Sequence, residues 1–289
     1  MRRANSSGNL AFMDRVRGRL RSSSSMVAGF WRIDYIDEIS YPASFLMGEL
    51  ATFVPVVTSY FIGELTEGSA TSEFFGSDYF TFAVLGLAIA GTMQSALFGF
   101  GYALQRAQER GTLETLLVEP VPWTSLPMAM NLWRVALGVV NGALVMIMGW
   151  ILGARYDLSG FPAFLLVIVV GILASQAIGI LSASYLVLAK KSQPVIRLYT
   201  LAATILAGSV FSVDQLPPWL RLFSWFIPQT YAVTAARAQL MSDAGTFTIP
   251  LDVALWALTG FVVVVGGGGL LLFKRTLEYA RKMGMLSGY

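Results

Sequence analysis

The sequence contains no cysteine and no histidine. Those two absences remove disulfide frameworks, Cys/His zinc sites, Ser-His-Asp triads and thiolate nucleophiles. Nothing in the chain reports on a redox compartment. Charge is scarce as well. Only 13% of the 289 residues are Asp, Glu, Lys or Arg, about half the share found in soluble domains. A soluble protein of this size needs charge to cover its surface. Hydrophobic residues instead make up 55%, and the mean hydropathy is +0.64. No stretch between the apolar runs is long enough for an independent soluble domain. The chain reads as an integral membrane protein.

The net charge is +3. The basic residues flank hydrophobic segments rather than forming one stripe, which argues against nucleic acid as a partner. The segment from Met1 to Leu20 is basic without a long apolar core, so it does not read as a secretory signal peptide.

Residues 1–25 are rich in Arg, Ser and Gly and read as a flexible cytoplasmic tail. Residues 26–40 mix aromatic and aliphatic side chains with Arg32, Asp34, Asp37 and Glu38. Trp31, Tyr35 and Ile39 recur every fourth position, which sets them on one helical face. Such an amphipathic helix would lie in the membrane interface; a soluble linker helix is the plainer alternative.

A membrane helix needs about 20 mostly apolar residues. Six stretches qualify: 41–62, 79–104, 131–152, 161–189, 195–213 and 251–273. Residues 214–250 are too apolar for an ordinary loop and too broken by Pro217, Pro218 and Pro228 for a span. Short half-helices dipping into the outer membrane face would satisfy this backbone if buried in protein. A seventh span there would put the C-terminus outside. Residues 281–289 read as a C-terminal cytoplasmic tail.

Lys and Arg in the loops set the orientation. Sixteen of them fall on one side of the six spans and three on the other, with Arg134 inside the third span. The first loop on the poor side, 63–78, has no basic residue but carries Glu64, Glu67, Glu73 and Asp78. The rich side is cytoplasmic, so both termini are inside.

The most informative stretch follows the second span: Gln105-Arg106-Ala107-Gln108-Glu109-Arg110-Gly111-Thr112-Leu113-Glu114-Thr115-Leu116-Leu117-Val118-Glu119-Pro120-Val121-Pro122. Leu113, Leu116 and Leu117 repeat at i, i+3 and i+4, and Pro120 ends the pattern. The spacing predicts a short amphipathic helix in the cytoplasm. Its apolar face can dock on the membrane or in a groove of a partner protein.

The run Glu109 to Val121 resembles the coupling-helix motif of ABC-2 type transporter permeases, most closely the bacterial drug-efflux and lipid-exporting members. The helix before the first span is similar to the family's interfacial connecting helix. Leu216 to Leu220, then Pro228 to Tyr231 and Arg237, resemble its external half-helices. The resemblance covers roughly residues 26 to 280, which would form one ABC-2 type transmembrane domain. It implies an all-α membrane fold with six transmembrane helices, an N-terminal interfacial helix, a cytoplasmic coupling helix and external re-entrant half-helices. It also implies two permeases facing each other, a homodimer by default, each resting its 109–118 helix on an ATPase subunit. Glu109, Arg110 and Glu114 would then make polar contacts, with Gly111 and Thr112 part of the same coupling segment. Leu113, Leu116 and Leu117 would be the buried anchor. The chain has no Gly-x-x-x-x-Gly-Lys-Ser/Thr phosphate loop. It is therefore expected not to be an enzyme by itself, with ATP and Mg bound by the separate partner. The expected location is the plasma (inner) membrane of a bacterium.

Ionisable groups inside spans are costly and face protein or a cavity. Glu49 and Arg134 are the two candidates, either as an intramembrane pair or along a substrate path. Arg134 could also snorkel to the cytoplasmic surface. Asn131, Asn141, Gln94 and Gln176 read as helix–helix hydrogen bonders. Gly138 with Gly142, and Gly149 with Gly153, read as close-packing patterns. Gly266 to Gly269 read as a tight crossing or a kink. Aromatics such as Phe98 and Tyr102 read mainly as packed or lipid-facing, with a path for apolar cargo as the other reading.

Two other classes compete. A stand-alone secondary transporter or channel would favour paired acids and an internal repeat, neither of which is evident. An intramembrane enzyme would need a carboxylate pair or a Ser-Lys pair; Ser182, Ser184 and Lys190 are the nearest material. The cargo is expected to be apolar or amphipathic: a drug, a lipid or a glycolipid, with polysaccharide on a lipid carrier also open.

Overall fold

A computed structural model describes residues 27–36, 38, 40, 42–66, 78–111, 126–189, 193–242 and 248–282. Regular structure among them is helical throughout. Residues 27–36 form α1. Then come α2 (Pro42–Thr66), α3 (Tyr79–Glu109), α4 (Leu126–Ile151) and α5 (Phe161–Ala189). α6 (Gln193–Leu206) precedes two short helices, α7 (Pro218–Ser224) and α8 (Pro228–Leu240). α9 (Leu251–Phe261) runs through a π-helical turn, Val262–Gly266, into α10 (Gly267–Lys282).

Five of these segments are long and apolar enough to cross a membrane: α2, α3, α4, α5 and the α9–α10 rod. The chain is thus a multi-pass helical protein. The expected span over 195–213 is not among these five; the helix there runs from Gln193 to Leu206. Fourteen residues rise only about 21 Å, against a hydrocarbon core of about 30 Å. The stop is built in at Gly208, whose φ of +69° is left-handed backbone and costs a glycine least. The expected second and third spans also lengthen, to Tyr79–Glu109 and Leu126–Ile151.

α3 is the centre of the bundle. Its apolar window is 72% buried, against 12% for α2 and 17% for the α9–α10 rod. It packs along α4 and α5, and also meets α2 and α8. Lipid tails are as apolar as leucine, so close backbone approach must hold such helices together. α4 supplies it with Gly138 and Gly142. A Cβ on Gly138 would fall 2.5 Å from Ser95 Cβ, and one on Gly142 2.3 Å from Thr92 Oγ1. Thr92 Oγ1 then donates across the crossing to Gly138 O at 3.1 Å. Asn131 Nδ2 does the same to Ala96 O at 2.7 Å. Gly149 also packs, against Val84, but Gly153 has open space around it. Gly153 sits at φ +109° just past the end of α4, so it terminates the helix rather than packing it.

The half-helices expected over 214–250 are α7 and α8, each with proline in its first turn. They differ in burial. α7 exposes Trp219, Leu222 and Phe223, whereas α8 is buried along most of its length among α3, α5 and α9. Leu240 at the end of α8 accepts the backbone N–H of Asp157 from the α4–α5 loop at 2.8 Å. In the α9–α10 rod, a Cβ added at Gly266 would fall 3.3 Å from Ala177 Cβ, and one at Gly269 would fall 3.4 Å from the α5 backbone. The glycine run is therefore a tight crossing, and the π turn lies at its start.

Candidate functional site

α3 carries small and polar residues along one face at helical spacing: Gly91, Gln94, Ser95, Phe98 and Tyr102. Facing it, α4 turns Arg134, Asn141 and Gly142 inward, and α2 contributes Thr52. Together they line an open-sided cavity of about 380 Å³, a size suited to a small organic molecule. Its walls mix apolar groups (Leu87, Phe98, Val145) with polar ones. Asn141 Nδ2 donates to Thr52 Oγ1 at 3.3 Å, while Asn141 Oδ1 has no hydrogen-bond partner among the described residues. Gln94 Nε2 donates to Thr204 Oγ1 of α6 at 3.3 Å, which brings α6 to the same face of α3.

One end of this cavity is cationic. Arg134 and Arg106 flank the Tyr102 ring, with guanidinium carbons 5.0 and 4.9 Å from its centroid, close enough for cation–π attraction. Each guanidinium also faces a carboxylate from the pre-span segment: Arg134 to Glu38 at 3.9 Å and Arg106 to Asp34 at 3.7 Å. The same segment rests on α4 through aromatic edges. Trp31 and Tyr35 lie T-shaped to Trp133 at 4.9 and 5.5 Å. The four-residue spacing of Trp31 and Tyr35 thus serves one shared ring; Ile39 lies outside the described residues.

α3 continues beyond this cluster to Glu109. Its 31 residues extend about 46 Å, some 15 Å more than the hydrocarbon core. Glu109, Arg110 and Gly111 are exposed at its end. Gln105 Nε2 donates to Glu109 Oε1 at 2.8 Å, and Gly111 leaves the helix at φ +66°. The other motif residues, Thr112, Leu113, Glu114, Leu116 and Leu117, lie outside the described residues. So does the side chain of Glu49, whose backbone belongs to α2.

A second polar centre holds the opposite end of the bundle. Arg237 of α8 is only 4% exposed. It donates to Phe82 O at 3.0 Å, to Gly208 O at 2.6 Å and to Ser209 O. Its guanidinium carbon lies 3.4 Å from the Phe82 ring centroid.

The chain matches the ABC-2 type transporter family over residues 39–241. It belongs to that family. The match takes in the cavity, Arg106, Arg134 and Arg237, but begins after Asp34 and Glu38. Curated relatives agree with the ABC-2 assignment. The inner membrane transport permease YhhJ of Escherichia coli K12 is 29% identical over 185 residues, covering 61% of this chain and 47% of that protein. The probable multidrug ABC transporter permease YbhR of the same strain is 23% identical over 202 residues, covering 68% of this chain and 53% of that protein. The chain thus spans about half the length of the curated relatives it matches.

Of the sites anticipated from sequence, Arg134 lines the cavity, and Glu109, Arg110 and Gly111 stand at the end of α3. Tyr102, Arg106, Ser95 and Thr52 were not singled out as one site. The signal for the α3 part was its run of small and polar residues three to four apart. The pairing with Asp34 and Glu38 had no signal in the sequence, because the partners are about 70 to 100 positions apart.

Proposed function

We propose that this chain is the transmembrane permease subunit of an ATP-driven exporter for an apolar or amphipathic substrate: a drug, a lipid or a glycolipid. The observation that carries this reading is the half-polar cavity against α3 within a bundle of the ABC-2 type transporter family. An amphipathic molecule leaving the cytoplasm or inner leaflet needs such a surface in the membrane. The multidrug permease name of one relative is in keeping with that cargo.

The motor is a separate ATPase subunit that binds ATP and Mg. These 289 residues hold no phosphate loop of their own. Coupling runs through the 109–118 helix. The overhang of α3 and the left-handed turn at Gly111 support this, because they carry the chain clear of the bilayer and redirect it there. Leu113, Leu116 and Leu117 would seat in the ATPase, with Glu109, Arg110 and Glu114 at the rim. A second permease, a copy of this chain, completes the path.

Both termini face the cytoplasm, and α6 acts as a short sixth crossing. In support, Ser209 just after α6 lies against Gly86, about 10 Å along α3 from its start at Tyr79. α7 and α8 then re-enter to fill the recess, and α1 lies along the opposite interface.

The test is a pull-down of the tagged chain from native membranes in mild detergent, with mass spectrometry of its companions. The expected result is a stoichiometric partner bearing an ATP-binding phosphate loop, lost when Leu113 and Leu117 are both changed to Asp. A clean oligomer without an ATPase would overturn the reading in favour of a stand-alone secondary transporter or channel.

A further inference from the structure

The charge on the described lining of the cavity is cationic. Among the described residues that line it, Arg134 is the charged one, and Arg106 stands beside it across the Tyr102 ring. A guanidinium at the rim of an apolar cleft is an anion reader. Its planar fork matches phosphate and carboxylate oxygens two at a time. The ion pair holding it is weak. Arg134 and Glu38 are 3.9 Å apart with side chains 35% and 22% exposed, and such half-solvated pairs contribute little. An incoming anion can take the place of Glu38 without exposing a buried charge. Below the head, Phe98, Leu87 and Val145 offer apolar wall.

We infer that the cavity takes an amphiphile with one anionic head, phosphate or carboxylate, held by Arg134 against Tyr102, with Glu38 as the competing internal anion. This deepens the permease reading and rests on the cavity being the substrate path. It narrows the cargo class, because neutral and cationic amphiphiles gain nothing from Arg134.

The experiment is ATP-free binding to the full chain, purified with its native subunits into nanodiscs of phosphatidylcholine. The probes are fluorescent short-chain phosphatidic acid and the matching phosphatidylcholine. Phosphatidic acid is expected to bind about tenfold more tightly, the difference one charge-assisted hydrogen bond supports. Arg134→Gln removes that preference. Arg134→Lys keeps part of it, and Glu38→Gln raises affinity for phosphatidic acid a few-fold. Arg221→Gln, distant from the cavity on α7, leaves the preference intact. Equal binding of both lipids to the parent chain overturns the inference, as does a preference that survives Arg134→Gln. Displacement of the probe by millimolar inorganic phosphate as fully as by unlabelled phosphatidic acid also overturns it, since the site would then read a free anion. Because no ATP is used, loss of this selectivity is distinguishable from absence of an ATPase partner, which bears on the permease reading alone.

Discussion

Arg237 of α8 reaches Gly208 O at 2.6 Å while its guanidinium covers the ring of Phe82 on α3. The turn after Leu206 has carbonyls that no helix satisfies, at a depth where water is scarce. Irregular backbone survives there only when protein groups pair it. Arg237 spends its donors on Gly208, Ser209 and Phe82, and thereby ties together α3, the end of α6 and α8.

Replacing Arg237 with Met leaves the buried turn carbonyls of Gly208 and Ser209 short of a donor and removes a second donor from Phe82 O, which lies within α3. The expected loss is about 3 kcal/mol or more, read as reduced stability of the detergent-purified protein to denaturant. Arg237→Lys recovers only part, because an ammonium lacks the fork that reaches separated acceptors. Wild-type stability of Arg237→Met would show that the turn is held by other means.

The α3–α4 crossing gives a second expectation. A Cβ on Gly142 would sit 2.3 Å from Thr92 Oγ1 and 3.0 Å from Ala88 O. Gly142→Val therefore forces the helices apart and costs about 1–3 kcal/mol. Gly91→Val, with nothing within 4 Å of its added Cβ, is tolerated in the same unfolding assay.

Gly111→Pro and Leu117→Asp disconnect transport from ATP hydrolysis while the bundle stays folded. Transport in proteoliposomes is expected to fall at least about tenfold, the loss of one well-packed docking anchor, with unchanged melting of the membrane part. Coupled transport at the parent rate in both variants would remove the 109–118 helix from the mechanism.

With no native cysteine, single cysteines report topology cleanly. Cysteines at Ser69 and Ser192 are expected to react with an impermeant maleimide from opposite sides of the membrane. Reaction from the same side would invalidate the inside placement of both termini.

The long helices were legible in the sequence because the bilayer imposes a length on them, and the run from Phe161 to Ala189 emerges with the same bounds. The early end of α6 was not. Hydropathy continues through Ala207 and Val210, while the stop rests on the left-handed turn at Gly208, whose carbonyl is paired by Arg237, 29 residues later. The regular spacing of Gly149 and Gly153 looked like packing, yet only Gly149 meets a neighbour. Backbone handedness at Gly153, invisible to periodicity, decides the difference. At the cavity, Arg134 stood out because charge within a span is rare. Ser95 and Thr52 did not, since small hydroxyl residues are common in membrane helices and gain meaning only when two helices bring them face to face.

The wide turn at Val262–Gly266 has an effect on angle rather than on flexibility. Ala254 and Leu277 are both buried, in separate clusters near the two ends of the α9–α10 rod. In an unbroken α-helix residues so spaced would point about 140° apart; one extra residue in a π turn cuts that to about 40°. The five-residue turn works as a phase corrector, keeping a single side of the rod aimed at α5 along its whole course. Removing one of Val262 to Val265 would make the rod an unbroken α-helix with Phe273 and Leu277 still aimed as they are, whereas closing the turn without losing a residue would rotate them by about 100° away from α5 while leaving Ala254 and Leu258 where they are.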